Sequence, residues 1–166
     1  PALTEIKNQL RLKECRLDIS GINVKPDSRF PDGIPNPILP ENHSKTASKV
    51  VSDCAHFGVA FDGDFDRCFF FDHLGGFVPG EIMVGLLCEF FGESDGDETI
   101  VHDPRLVFNT RNVCSHSGIK AVQSKTGHLF MKKVMREHNA VYGGEISAHH
   151  YFRDFYFCDS GMIPWL

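Results

Sequence analysis

Apolar positions along this chain alternate between two periods, and each change of period marks an element. After Thr4, the stretch TEIKNQL sets Ile6 and Leu10 four residues apart, which predicts a short helix whose first amides the Thr4 hydroxyl can cap. CRLDISGINV then alternates Cys15, Leu17 and Ile19 with Arg16, Asp18 and Ser20, the pattern of a half-buried strand that breaks at Gly21. Residues 26–42 hold five prolines, and each fixes its own φ and biases its predecessor away from helix. An extended, stiff loop follows from that, of a length that is usually functional or a linker.

Helical spacing returns in SKTASKVVSDCAHFG, and FGVAFD reads as a short buried strand leading into VAFDGDFDR. RCFFFD resumes as strand, Gly75 and Gly76 turn the chain, and EIMVGLLCEFF forms an amphipathic helix closed by Gly92. From residue 99 the same grammar repeats: TIVHD strand, a helix over 107–116, IKAVQS strand, GHLFMKKVMREH helix and AVYGGE strand. Strands alternating with helices imply an α/β fold with a substantially parallel sheet. Two consecutive mixed, largely parallel α/β layer units are expected, 1–76 and 77–166, with the boundary near Gly76.

Composition narrows the function classes. With 42% hydrophobic residues, 15 of them Phe, 166 residues suffice for one good core or two small ones. Seventeen Lys and Arg against 22 Asp and Glu give a net charge of -5, which offers no broad basic face for nucleic acid and no polybasic membrane anchor. The six cysteines form no C-x-x-C pair, so neither a cysteine zinc site nor a disulfide framework is suggested, and a reducing, cytoplasmic setting fits best. No apolar run approaches the ~20 residues that cross a bilayer. The chain begins at Pro1 and stops at Leu166 as an apolar run starts, so a fragment is expected, with Met162, Ile163, Trp165 and Leu166 exposed and prone to association.

Three constellations carry chemistry. Asp62, Asp64 and Asp66 lie two residues apart at a strand's C-terminal end. Carboxylates so close raise one another's pKa unless a cation neutralises them, and Mg²⁺ is the simplest such cation, taking oxygen ligands and completing its shell with phosphate or water. Gly63 would relax the loop backbone, and Arg67 would add a fixed positive fork for a phosphate oxygen. A solvated acidic turn is the commoner fate of DGD alone, and a calcium-binding EF-hand loop would need Glu where His73 stands. In GGEISAHHYFRDF, Glu145 and Ser147 alternate on one side of an extended segment as acceptors for neighbouring sugar hydroxyls, and His149 continues that parity as a proton shuttle. Arg105 after VHDP, with Lys125 and His128 flanking Thr126-Gly127 at a helix start, suits an anion.

Together DGDFDR, SKTGH and GGEISAHHYFRDF, in this order, resemble the α-D-phosphohexomutase superfamily of the phosphomannomutase/phosphoglucomutase type. The resemblance extends over nearly the whole chain, including NPILPEN and CDSGMIPWL. It implies four α/β domains around a cleft, of which this chain holds most of the second and a truncated third. It further implies Mg²⁺ on Asp62, Asp64 and Asp66, with Arg67 close to a phosphoserine. Glu145 and Ser147 would bind the sugar, His149 would lie near the reacting hydroxyl, and Arg105, Lys125 and His128 would approach sugar or phosphate. Ile146 and Ala148 stand where the family commonly has methionine and glycine.

The implied reaction interconverts mannose 6-phosphate and mannose 1-phosphate through a bound hexose 1,6-bisphosphate. Its nucleophilic serine, in a T-A-S-H-N-P-like loop of the first domain, lies outside this chain. Thr46-Ala47-Ser48 is a decoy, followed by Lys49-Val50 inside a helical pattern. The implied partners are a hexose phosphate and the missing first and fourth domains. A phosphoglucomutase and a non-catalytic metal- or sugar-phosphate-binding module are the alternatives.

Overall fold

A computed structural model describes residues 2–13, 17–25, 27–92 and 97–166. Helix α1 (Ala2–Leu12) precedes the proline segment, and α2 (Ser44–Ser52) leads into strands β1 (Gly58–Phe61), β2 (Cys68–Phe71) and β3 (Phe77–Val78). The second half runs α3 (Gly80–Gly92), β4 (Thr99–His102), α4 (Val107–Ser117), β5 (Lys120–Gln123), α5 (His128–His138), β6 (Tyr142–Gly144), β7 (His150–Phe152) and β8 (Cys158–Asp159).

The first sheet has the order β1-β2-β3 and is antiparallel throughout. Every residue of β2, Cys68 to Phe71, is buried, so the phenylalanine run is its core. The β2–β3 turn is pinned by Asp72, whose carboxylate accepts from the amides of Leu74 at 2.9 Å and Gly76 at 2.8 Å. Gly75 sits there at φ 80°, and a Cβ would lie 2.9 Å from the Ala47 carbonyl oxygen, so only glycine fits.

The second sheet has the order β5-β4-β6-β7-β8; β4 runs parallel to β5 and β6, while β7 and β8 are antiparallel. Alternation along the strands sends Ile100, Tyr142 and Phe152 into a core with Val84, Leu87 and Cys88 of α3 and Cys114 of α4. Val101 and Tyr151 pack with Met131 and Met135 of α5. Met83 and Trp165 lie against Cys68 and Phe70, and an antiparallel bridge pairs Arg67 with His149. The two sheets therefore meet at the aspartate loop.

The mixed α/β class is as expected, but the first unit is not largely parallel: among the described residues parallel pairing is confined to the second sheet, because a six-residue β1–β2 link allows only a hairpin. Strand β3 completes the first sheet although it follows Gly76. Thr4 lies inside the first turn of α1 rather than ahead of it. Of the strand expected over 15–24, Cys15 and Arg16 fall outside the described residues, and 17–24 form no strand. The proline segment folds into successive turns, with amides of Phe30, Gly33 and Leu39 each bonding three residues back, and ends in a 3-10 turn at Pro40–Asn42. The C-terminal apolar residues are less exposed than expected: Ile163 joins the main core and Trp165 the first sheet, leaving Leu166 at the surface.

Candidate functional site

Six residues link β1 to β2, too few for anything but a hairpin, and they carry all three aspartates. Asp62 is buried, Asp66 half-buried and Asp64 exposed, with one oxygen of each within 4.8 Å of the others. Burial alone would raise the Asp62 carboxyl, but hydrogen bonds from the Arg67 side chain (Nε to Oδ2, 2.7 Å) and amide outweigh it and hold it below the usual range. Asp66 moves the other way. Burial lifts it, His149 works against that, and Asp62 and Asp64 add to the rise. Among the described residues its Oδ1 is buried without a hydrogen-bond partner, 3.7 Å from Arg67 Nε. A crowded carboxylate set with an orphaned oxygen is the environment that a bound cation relieves.

The loop's left-handed residue is Phe65, at φ 66°, not Gly63. Gly63 has nothing nearer its virtual Cβ than Ile34 Cγ2 at 3.9 Å. A glycine matters instead at Gly161, where a Cβ would lie 2.6 Å from the Phe65 carbonyl oxygen and 3.1 Å from the Arg67 backbone. Gly161→Ala is expected to displace the aspartate loop, lower stability by about 1–3 kcal/mol and weaken Mn²⁺ binding; unchanged melting temperature and affinity would contradict this.

The β6–β7 connection is a tight turn rather than an extended segment: the Ala148 amide bonds the Glu145 carbonyl at 3.0 Å, with Ala148 left-handed at φ 68°. Ala148 thus takes a backbone conformation that favours glycine. Glu145 is 1% exposed, and its carboxylate accepts from the Gly127 amide at 2.6 Å and the Tyr151 hydroxyl at 2.9 Å, with His149 Nδ1 3.3 Å away. Burial opposes its ionisation, but His149, Gly127 and Tyr151 prevail and bring it down to about 2. His149 is raised: burial lowers it, and Glu145, Asp66 and Asp159 more than compensate. Its Nδ1 also meets Ser147 Oγ at 3.0 Å, and its Nε2 lies 3.4 Å from Asp66.

His128, at the start of α5, stands edge-on to His149 with ring centroids 4.5 Å apart. Arg105 is clamped by buried Asp103, through its amide and Nη2, each at 2.7 Å; Asp103 also accepts from the Ile146 amide at 3.1 Å and so ties Arg105 to the turn. Lys125 lies over the Phe130 ring, 5.5 Å from its centroid, and has no contact with the cluster among the described residues. Ser48 sits exposed on α2. Sequence reasoning missed Asp103, Tyr151 and Asp159. Tyr151 shares the parity of His149 and was accessible that way; the other two are recognised only by contacts formed in the fold.

Comparison with known proteins places the whole chain. Residues 3–75 match the profile of the α/β/α domain II of phosphoglucomutase/phosphomannomutase, and residues 79–166 match that of domain III. The chain belongs to the phosphoglucomutase/phosphomannomutase family. Relatives in this family include the phosphomannomutase of Escherichia coli K12, 50% identical over 166 residues, covering 100% of this chain and 36% of that protein. The phosphomannomutase of Vibrio cholerae is 55% identical over 150 residues, 90% of this chain and 32% of its own length. A solved phosphoglucomutase/phosphomannomutase family protein from Burkholderia thailandensis superposes with a TM-score of 0.79 at 30% identity, covering 84% of this chain and 31% of its own. The chain thus spans about a third of the length of these relatives. Among the described residues, no helix is long and apolar enough to cross a membrane.

Proposed function

We propose that this chain supplies the second and third domains, divided near residue 76, of a cytoplasmic phosphomannomutase that interconverts mannose 6-phosphate and mannose 1-phosphate. The observation that carries the reading is the Arg67–His149 bridge, which sets the aspartate loop of one sheet against the histidine turn of the other. Charge-neutralising and sugar-facing groups then act on one substrate.

Asp62, Asp64 and Asp66 would hold Mg²⁺, which neutralises phosphoryl oxygens when bound. Arg67, whose terminal nitrogens make no hydrogen bond among the described residues, adds positive charge beside a phosphoserine contributed by the first domain. Glu145 fixes the turn through Gly127 and Tyr151, and with Ser147 offers acceptors to sugar hydroxyls. His149, oriented by Glu145, takes the proton of the attacking sugar hydroxyl at Nε2 and returns it in the reverse direction. Arg105, Lys125 and His128 meet the anionic substrate. Hexose 1,6-bisphosphate is the intermediate and activator, and the remaining partners are the first and fourth domains. With a net charge of -5, neither nucleic acid nor membrane is proposed as a partner.

Incubating the full-length protein with hexose 1,6-bisphosphate should leave a phosphoryl group on a serine outside residues 1–166. Phosphate on Ser48, or on no serine, would overturn the reading. Since Glu145 and Ser147 suit either hexose, relative turnover of glucose and mannose 1-phosphates decides between a phosphomannomutase and a phosphoglucomutase.

A further inference from the structure

One cluster extends beyond the aspartate triad. Asp66, His128, His149 and Asp159 each offer a ligand atom, and these atoms all lie within 4.8 Å of one another. They come from four separate places: the β1–β2 loop, the start of α5, the bridge residue before β7, and β8. The fold, not a local acidic run, assembles them.

The donor set is two imidazoles and two carboxylates. Mg²⁺ prefers oxygen alone, whereas late first-row cations such as Zn²⁺ take mixed nitrogen and oxygen ligands in a tetrahedron. Metal–ligand bonds of about 2.0–2.1 Å put tetrahedral donors about 3.3 Å apart. His149 Nε2 and Asp66 Oδ2 are 3.4 Å apart, and His128 Nδ1 and Asp159 Oδ2 are also 3.4 Å apart. Two edges of the polyhedron already have the required length.

Outer contacts hold these ligands as a metal site requires. The Nδ1 of His149 faces Ser147 Oγ and the buried Glu145 carboxylate, which directs Nε2 toward Asp66, the carboxylate–histidine arrangement that supports metal-bound imidazoles. Lys132 engages Asp159 Oδ1 at 3.1 Å and leaves Oδ2 to His128. We propose that Asp66, His128, His149 and Asp159 form a binding site for a zinc-class divalent cation, sharing only Asp66 with the aspartate triad; a cation held there takes the His149 Nε2 lone pair and so excludes the proton transfer assigned to that atom. The proposal does not depend on the mutase reading.

Co²⁺ titrated into the 166-residue chain with Mg²⁺ in excess reports the site through its visible absorption, which is intense only for four-coordinate ligation. The expected result is an intense spectrum whose Co²⁺ dissociation constant rises at least about tenfold in His128→Gln and in Asp159→Asn, and changes less than about twofold in Asp64→Asn. Two ligand variants guard against one that fails to fold. A weak, six-coordinate spectrum would overturn the proposal, as would a signal lost in Asp64→Asn but retained in both ligand variants. Absence of hexose phosphate turnover in the full-length protein would count against the mutase reading and leave this result untouched.

Discussion

Asp64→Asn in the full-length protein is expected to lower mutase turnover by at least about a hundredfold while leaving the fold intact. Asp64 is the exposed member of the triad and packs against nothing in the core. Asparagine removes one negative charge and almost no volume, so stability should change by no more than about 0.5 kcal/mol. Asp62 is a poorer probe, because it is buried and holds the Arg67 side chain and amide, and its replacement would disturb the loop as well as its charge. Near wild-type turnover in Asp64→Asn would remove the aspartates from the reaction. A lowered melting temperature would instead give Asp64 a structural role that its exposure does not suggest.

Glu145→Gln should have the largest effect on stability. A glutamine keeps the shape of the side chain but has one acceptor oxygen where Glu145 uses two, so either the Gly127 amide or the Tyr151 hydroxyl meets an NH₂ group. His149 also loses its nearest buried counter-charge. A loss of about 2–3 kcal/mol is expected, or a melting temperature about 5–10 °C lower for a chain of this size. The pH dependence has a definite sign. The folded carboxyl of Glu145, at about 2, lies below its ordinary value of 4.5, so its contribution is fully present above pH 4.5 and is lost as pH falls toward 2. That span corresponds to about 3 kcal/mol. His149 contributes on the other side, since a raised imidazole stabilises the fold below its ordinary 6.5 and ceases to do so as pH climbs through the raised value. Thermal melts of wild type and Glu145→Gln between pH 5 and pH 2.5 should therefore converge on acidification; parallel curves would contradict the assignment.

Much of the second unit is legible because each element carries its own signal. The helical spacing of 81–91 and the short strand patterns at 99–102 and 120–123 are local properties, and the structure keeps them. Strand direction in the first unit is less obvious, although only six residues separate Phe61 from Cys68 and a parallel crossover needs a dozen or more. Gly63 misleads because a glycine advertises backbone freedom, while the chain spends its left-handed residue on Phe65. The alternation of Glu145, Ser147 and His149 looks extended in sequence yet lies on a turn, and the same three residues still meet, because the turn brings Nδ1 of His149 back to both partners. Asp103 reaches Ile146 across 43 positions, and Asp159 joins histidines from two other elements. No spacing within one segment encodes such partners.

The most direct test of the central claim is the Mg²⁺-dependent interconversion of mannose 1-phosphate and mannose 6-phosphate, with a trace of hexose 1,6-bisphosphate. It is measured on the full-length protein and on the 166-residue chain side by side. Activity in the full-length protein alone is the predicted result, because the proposal assigns the metal and sugar loops to this chain and the nucleophilic serine to the first domain. Activity in neither would contradict the account and leave a metal- and sugar-phosphate-binding module.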